Sequence, residues 1–290
     1  MAELSVRSVL VTGANRGLGL GLVQHFLRMP KPPQWIFAGC RDPKGQRAQE
    51  LQNLASKHPN IIIIPLEVAN PASIKAAAAQ VGEHLGGSGL NILINNAGIV
   101  KLNALDAETL EDMSEVYTTN TIGPLLMGQA FLPLLKKAAQ GSPGSGLSCS
   151  RAAIINLSSQ GGSISSLLTW EIAQAPSYRC SKAALNMLSK CQSLAYKEHG
   201  ILCVALHPGW VQTDMGRSLG LPPPVTLDDS VSPAHVSHGA SHIPFRFLLL
   251  PSSSTSSSPG SWQHVCQGQH NWSGTTEGFC PLETWTGSQS

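Results

Sequence analysis

Tyr178 and Lys182 are the residues whose types and spacing most readily suggest chemistry. Positions four apart share one face of a helix, so the Lys182 ammonium can approach the Tyr178 phenol. A free phenol near pKa ~10 is a poor acid or base at neutral pH, and a neighbouring cation is expected to lower that value. Upstream, an apolar β-branched run ends in Ser158-Ser159, and an asparagine stands at position 120. A serine hydroxyl there can donate a hydrogen bond to an acceptor oxygen that Tyr178 is able to protonate.

A second stretch with chemical content runs through residues 9–19, Val-Leu-Val-Thr-Gly-Ala-Asn-Arg-Gly-Leu-Gly. It reads as a strand, a glycine-rich turn and a helix start. Glycine lets the backbone turn tightly against a ligand, and the helix start offers free N–H groups and a positive dipole end to a pyrophosphate. The elements that must hold both stretches alternate short apolar runs with helical patterns. Strands are expected at 8–11, 35–39, 61–66, 91–94, 152–157 and 201–206, and helices at 18–27, 46–57, 72–85, 107–137 and 177–199. The 107–137 pattern is interrupted near 120–124, and 141–150 reads as a mobile small-residue loop. In the 177–199 helix, Ala184, Leu185, Leu188, Cys191 and Ala195 fall on one apolar face, with Gly200 at its C-terminal cap. Alternating strands and helices predict an α/β, doubly wound parallel sheet with helices on both faces.

These residues together resemble the short-chain dehydrogenase/reductase family over about residues 6–231. Thr12-Gly13-Ala14-Asn15-Arg16-Gly17-Leu18-Gly19 is similar to its cofactor turn, Asn95-Asn96-Ala97-Gly98 to its sheet-stabilising motif, and 208–213, Pro-Gly-Trp-Val-Gln-Thr, to its nicotinamide loop. The texture, with Cys40-Arg41-Asp42 after the second strand, resembles the sniffer and C-factor-like carbonyl reductases. The resemblance implies a Rossmann fold and a catalytic set of Asn120, Ser159, Tyr178 and Lys182, with Ser159 matching better than Ser158. It also implies that Lys182 holds the nicotinamide ribose, that water near Asn120 leads to solvent, and that Thr213 and the backbone at Val211 anchor the carboxamide. The implied cofactor contacts are Gly13, Asn15, Arg16, Gly17, Leu18, Gly19, Arg41, Glu67, Val68, Asn96, Ala97, Gly98, Tyr178, Lys182, Pro208, Gly209, Val211 and Thr213. Glu67-Val68 departs mildly from an aspartate common in the family near the adenine.

Cofactor choice follows from charge. A ribose 2′-hydroxyl is served by an acid after the second strand and a 2′-phosphate by arginine. Arg41 stands there and Arg16 lies in the glycine turn on the same side, which favours NADP(H). Asp42 keeps NAD open if the register is one residue off. The expected substrate is a small apolar aldehyde, ketone or quinone, because Leu167, Leu168 and Trp170 occupy the loop before Tyr178. Trp210 reads equally as a pocket wall or as a cap on the core edge.

Composition limits the partners. Net charge is +2 and only 12% of residues are charged, against roughly a quarter in ordinary domains, so neither a nucleic-acid nor a polybasic membrane surface is expected. No signal peptide or apolar run of about eighteen residues is evident, and cytoplasmic location follows as an expectation. Seven scattered cysteines without CxxC spacing read as reduced. His235, His238 and His242 are interrupted by Pro233, Gly239 and Pro244, so no metal is expected. The sequons at Asn156 and Asn271 are expected to stay unmodified. From residue 232 the chain turns to Ser, Pro, Gly and His, which separates a domain at 1–231 from a low-complexity, disordered tail at 232–290 with the seventh strand missing or replaced. Such a tail is what an altered reading frame or alternative exon would produce. Two functions remain open: an NADPH-dependent carbonyl reductase, dimeric through the helices around Asn120 and Tyr178, or a catalytically poor NADP(H)-binding or interaction protein.

Overall fold

Residues 9–11 of the first strand send alternate side chains to opposite faces, as the two-residue period of an extended chain requires. Val9 and Val11 enter one apolar cluster and Leu10 the other. The same parity holds for Ile92 and Ile94 against Leu93, and for Leu202 and Val204 against Cys203. Strands apolar on both faces belong inside a helix-covered parallel sheet. In the computed structural model, which describes residues 6–142, 146–165, 167 and 169–231, that sheet has six parallel strands in the order β3-β2-β1-β4-β5-β6. They are β1 (Ser8–Thr12), β2 (Trp35–Cys40), β3 (Ile61–Pro65), β4 (Ile92–Asn95), β5 (Ala153–Leu157) and β6 (Leu202–Leu206). Val9 pairs with Ile36 on one side and Ile92 on the other.

The helices are α1 (Gly17–Arg28), α2 (Gln49–Lys57), α3 (Pro71–Leu85), α4 (Leu110–Tyr117), α5 (Gly123–Gly141), α6 (Pro176–Tyr196), α7 (Asp214–Arg217) and α8 (Leu227–Val231). Leu20, Val23, Phe26 and Leu51 of α1 and α2 pack on one face, while Ile74, Val81, Met127 and Phe131 of α3 and α5 pack on the other. The expected break near 120–124 is a π-helical turn at Thr118–Ile122 between α4 and α5. Strand order reverses between β1 and β4, and in such sheets ligands occupy the crevice beyond the strand carboxyl ends at that point.

Two expectations need correction. The buried face of α6 is polar: Ser181, Lys182, Asn186, Ser189 and Gln192 face inward beside Leu185, whereas Cys191 and Ala195 are exposed. Polar side chains at the ends of β4 and β5 claim that face, as described below. Of the cysteines, Cys40, Cys180, Cys191 and Cys203 are free thiols, but Cys149 is disulfide-bonded, so the all-reduced reading does not hold there. The 232–290 tail, its histidines, Asn271, the remaining cysteines, the 143–145 part of the small-residue loop and Leu168 lie outside the described residues. Among the described residues no seventh strand is present.

Candidate active site

The glycine turn brings β1 to the crevice. Gly13 (φ +65) and Gly17 (φ +53) adopt left-handed backbone, and a Cβ on Gly19 would strike the Gly13 carbonyl, so the turn requires glycines. Asn96 ties it to β4: its Nδ2 donates to the Thr12 carbonyl at 2.8 Å and the Gly13 carbonyl at 3.2 Å, while Thr12 Oγ1 accepts from the Asn96 and Ala97 N–H groups. Helix α1 starts without a side-chain cap and has no acid in its first turn. Its leading N–H groups and dipole are therefore free for an anion.

The catalytic candidates converge beyond β4 and β5. Asn120, buried in the π-helical turn, accepts from the Ile99 N–H at 2.9 Å and donates to the Ile99 carbonyl and to Ser181 Oγ. Its Oδ1 and Lys182 Nζ both lie beside Gly98, within 3.2 and 3.7 Å of where a Cβ would stand. Ser159 begins a short 3-10 turn, accepting from the Gly161 N–H at 3.0 Å, and its side chain hydrogen-bonds with Tyr178. Ser158 turns the other way, donating to Asn186 Oδ1 at 2.6 Å. Lys182 Nζ sits 5.7 Å from the centre of the Tyr178 ring and donates to the Leu157 carbonyl at 2.7 Å.

A polar network fixes α6 against the sheet. Asn95 donates to Asn156 Oδ1, and Asn156 Nδ2 donates to Ser189 Oγ at 2.8 Å and Gln192 Oε1 at 2.9 Å. Thr121 donates to the Ser181 carbonyl.

Electrostatics revise the expected tuning. Burial pushes the Tyr178 phenol up, and this outweighs the lowering by the Ser159 hydrogen bond and the Arg179 charge. Tyr178 is thus held protonated at neutral pH. Burial also pulls Lys182 down to about 8. A neighbouring cation favours the phenolate, but the cost of enclosing the phenol is larger.

The remaining expected contacts fall into two groups. Gly209 (φ +86) turns the chain after β6, Pro208 accepts from Ser230, and Val211 is bridged to Val225. Thr213 caps α7 and lies against Gly17, its Cγ2 3.4 Å from a Cβ there. Trp210 braces α7, donating from Nε1 to the Gly216 carbonyl at 2.8 Å. On the opposite side Arg41 pairs with Glu67 at 3.6 Å, Val68 is in the core, Leu18 packs against the β1 cluster, and Asn15 donates to the Arg47 carbonyl. Arg16, in the glycine turn, makes an ion pair with Asp214.

Two groups here escaped the sequence argument. Asp214 follows Thr213, but its partner is nearly two hundred positions away. His207 precedes Pro208-Gly209, and its Nδ1 is buried without a hydrogen-bond partner among the described residues. Burial, aided by the Lys182 charge, pulls its imidazole down to about 4. The adjoining Pro-Gly loop was the signal that could have drawn attention to it.

The short chain dehydrogenase family profile matches residues 7–222. An NADPH-bound carbonyl reductase from chicken fatty liver is 73% identical, with 80% of this chain and 86% of that chain covered and a TM-score of 0.77. The carbonyl reductase Sniffer of D. melanogaster is 40% identical, with 78% of this chain and 88% of that chain covered and a TM-score of 0.73. The short chain dehydrogenase tazN of Aspergillus terreus is 33% identical over 77% of this chain, but that alignment spans only 45% of the tazN protein.

Proposed function

This chain belongs to the short chain dehydrogenase family, and from that premise we propose that it is an NADPH-dependent carbonyl reductase acting on a small apolar aldehyde, ketone or quinone. One observation carries the reading: an enclosed, protonated Tyr178 hydrogen-bonds with Ser159 while Lys182 lies behind its ring.

When bound, NADPH supplies the hydride. The residues present fit it: an uncapped helix start stands beside glycines that admit a close ligand, and the guanidiniums of Arg41 and Arg16, held in ion pairs with Glu67 and Asp214, would suit a 2′-phosphate on exchanging those partners. Ser159 Oγ and Tyr178 Oη hold the substrate carbonyl oxygen, and Tyr178 gives it the proton as the carbon is reduced. A phenol kept protonated by burial is suited to reduction rather than to abstracting a proton. Lys182 would hold the nicotinamide ribose, and its ammonium would stabilise the tyrosinate left after transfer. Asn120 fixes the π-helical turn against α6 through Ser181. Ile164, Leu167 and Ile172 are exposed on the loop before Tyr178, with Met215 and Leu221 exposed after β6, and these apolar groups suit an apolar substrate. Leu110, Met187 and Leu194 stay exposed at 77%, 57% and 65% on α4 and α6, which supports a homodimer through those helices. Among the described residues no helix is long and apolar enough to cross a membrane, and a cytoplasmic site belongs to the same proposal.

The other reading, a poorly catalytic NADP(H)-binding protein, is favoured by one feature. Among the described residues β6 pairs with β5 on one side and with no strand on the other. Purified full-length chain offered NADPH with a panel of aldehydes, ketones and quinones separates the two. The reductase reading expects NADPH oxidation with at least one of them and much slower use of NADH. Tight NADPH binding with none consumed favours the other reading.

A further inference from the structure

The helix that carries Tyr178 begins without a cap of its own. Its N-cap, Ala175, has left-handed backbone (φ 43, ψ 55) and no side-chain oxygen to offer. Pro176 follows and has no N–H, so the first donor that needs a partner is the backbone N–H of Ser177. That partner comes from 69 positions away: Glu108 Oε2 accepts from Ser177 N–H at 3.0 Å.

Glu108 is itself held in place. Its Oε1 accepts from Asn103 Nδ2 at 3.1 Å, and the same amide donates to Asp112 Oδ2 at 2.8 Å. Asp112 in turn pairs with Lys101 at 3.3 Å. The segment touches the start of α6 at two further points, where the Asn103 carbonyl accepts from Ala175 N–H at 3.1 Å and Leu105 N–H donates to Gln174 Oε1 at 2.7 Å. Burial alone pushes the Glu108 carboxyl up, but the hydrogen bonds from the Ser177 backbone and Asn103 overcome this and hold it below its usual value. The group is therefore a carboxylate at neutral pH, which also complements the positive end of the helix dipole.

We propose that Glu108 is a positioning residue for the reaction: by capping the first turn of α6 from the 101–112 segment, it fixes where Tyr178, the next residue along, presents its hydroxyl. Catalytic geometry is sensitive to small displacements of a proton donor, and this end is held by the Arg179 N–H bond to the Ala175 carbonyl at 3.0 Å together with the Glu108 cap on Ser177. The inference rests on the assignment of Tyr178 as proton donor.

The test compares Glu108→Ala and Glu108→Gln with wild type, using the full-length chain, NADPH and a substrate from the panel above. Glu108→Ala is expected to lower kcat about tenfold or more while leaving NADPH affinity within about twofold, and to raise the solvent isotope effect on kcat. Glu108→Gln keeps an oxygen that can accept from Ser177 N–H, so it should recover part of the loss. Hydrogen exchange at the Ser177 amide should accelerate in the alanine variant and less in the glutamine variant. A lower melting temperature with kcat and isotope effect unchanged in both variants would overturn the proposal, since the cap would then only stabilise. Should the alanine variant not fold, Glu108→Gln decides: a reduced kcat with a raised isotope effect supports positioning, and unchanged values of both overturn it. A Tyr178→Phe control separates the two levels. If that variant keeps turnover, the proton-donor reading fails, whereas loss of turnover there with Glu108 variants unaffected sinks this proposal alone.

Discussion

Helices α5 and α6 are of similar length and cover the same face of the sheet, yet they are held by different physics. Helix α5 buries Met127, Phe131, Leu135 and Ala138. Helix α6 buries Ser181, Lys182, Asn186, Ser189 and Gln192, engaged by Asn156, Ser158 and Asn120 at 2.6–3.0 Å. Apolar contact is non-directional and tolerates small slides of one element over another. Hydrogen bonds with defined partners fix rotation and height together, at the risk of an unsatisfied buried group whenever one partner is lost. Helix α5 uses the first kind of contact, and the helix that carries the proposed reacting groups uses the second.

Four substitutions test that contrast. Phe131→Ala in α5 should lower unfolding free energy by about 3–5 kcal/mol but leave kcat per folded molecule near wild type when assayed well below its melting point. A fall in kcat as deep as that of a site variant would erase the distinction. Asn156→Ala, at the α6 interface, should cost about 1–3 kcal/mol and also lower kcat several-fold, because Ser189 and Gln192 lose the donor that sets the helix. Denaturant titration and steady-state kinetics on the same preparation check both numbers.

The polar side should also be the one that responds to pH. His207 titrates at about 4 in the fold against an ordinary value near 6.5. Between those values the unfolded chain binds a proton that the folded chain excludes. Its stabilising share is therefore complete above about pH 6.5 and disappears as pH falls toward 4, on the order of 3 kcal/mol in all. His207→Asn should flatten the wild-type stability curve in that window. Identical curves would mean that the imidazole is not buried as described. The smallest effect concerns Arg16, which Asp214 occupies through an exposed ion pair. Asp214→Asn should free the guanidinium for the 2′-phosphate and tighten NADPH binding by up to about fivefold, as befits an exposed pair of about 0.2–1 kcal/mol. NADH should hardly change, and equal gains for both cofactors would show that Arg16 does not meet the phosphate.

Much of this was written locally in the chain. The six strands fall within a residue or two of their expected bounds because β-branched runs between Gly and Pro signals need no distant partner to be read. Tyr178 and Lys182 could be singled out from their four-residue spacing, whereas Asn120 and Ser159 entered only through the family resemblance. The inward face of α6 was not legible. Periodicity assumes that apolar residues point inward, and Ala184, Leu188, Cys191 and Ala195 fit that pattern while Ser189 and Gln192 find a partner on β5 and Asn186 one just after it at Ser158, which no helical period reveals. The Glu108 cap and the Arg16–Asp214 pair were hidden for the same reason, since each joins residues far apart in the sequence. The raised Tyr178 pKa was missed because desolvation depends on what the finished fold places around the phenol.

The central claim is that Tyr178 delivers the proton while the rest of the site binds and orients. Tyr178→Phe removes one hydroxyl and preserves the ring, so NADPH titration and single-turnover reduction on that variant test it most directly. The account predicts NADPH affinity within about twofold of wild type and a reduction rate lower by roughly 10²–10⁴-fold. A variant that binds NADPH normally and still reduces substrate at about a tenth of the wild-type rate or faster would contradict it.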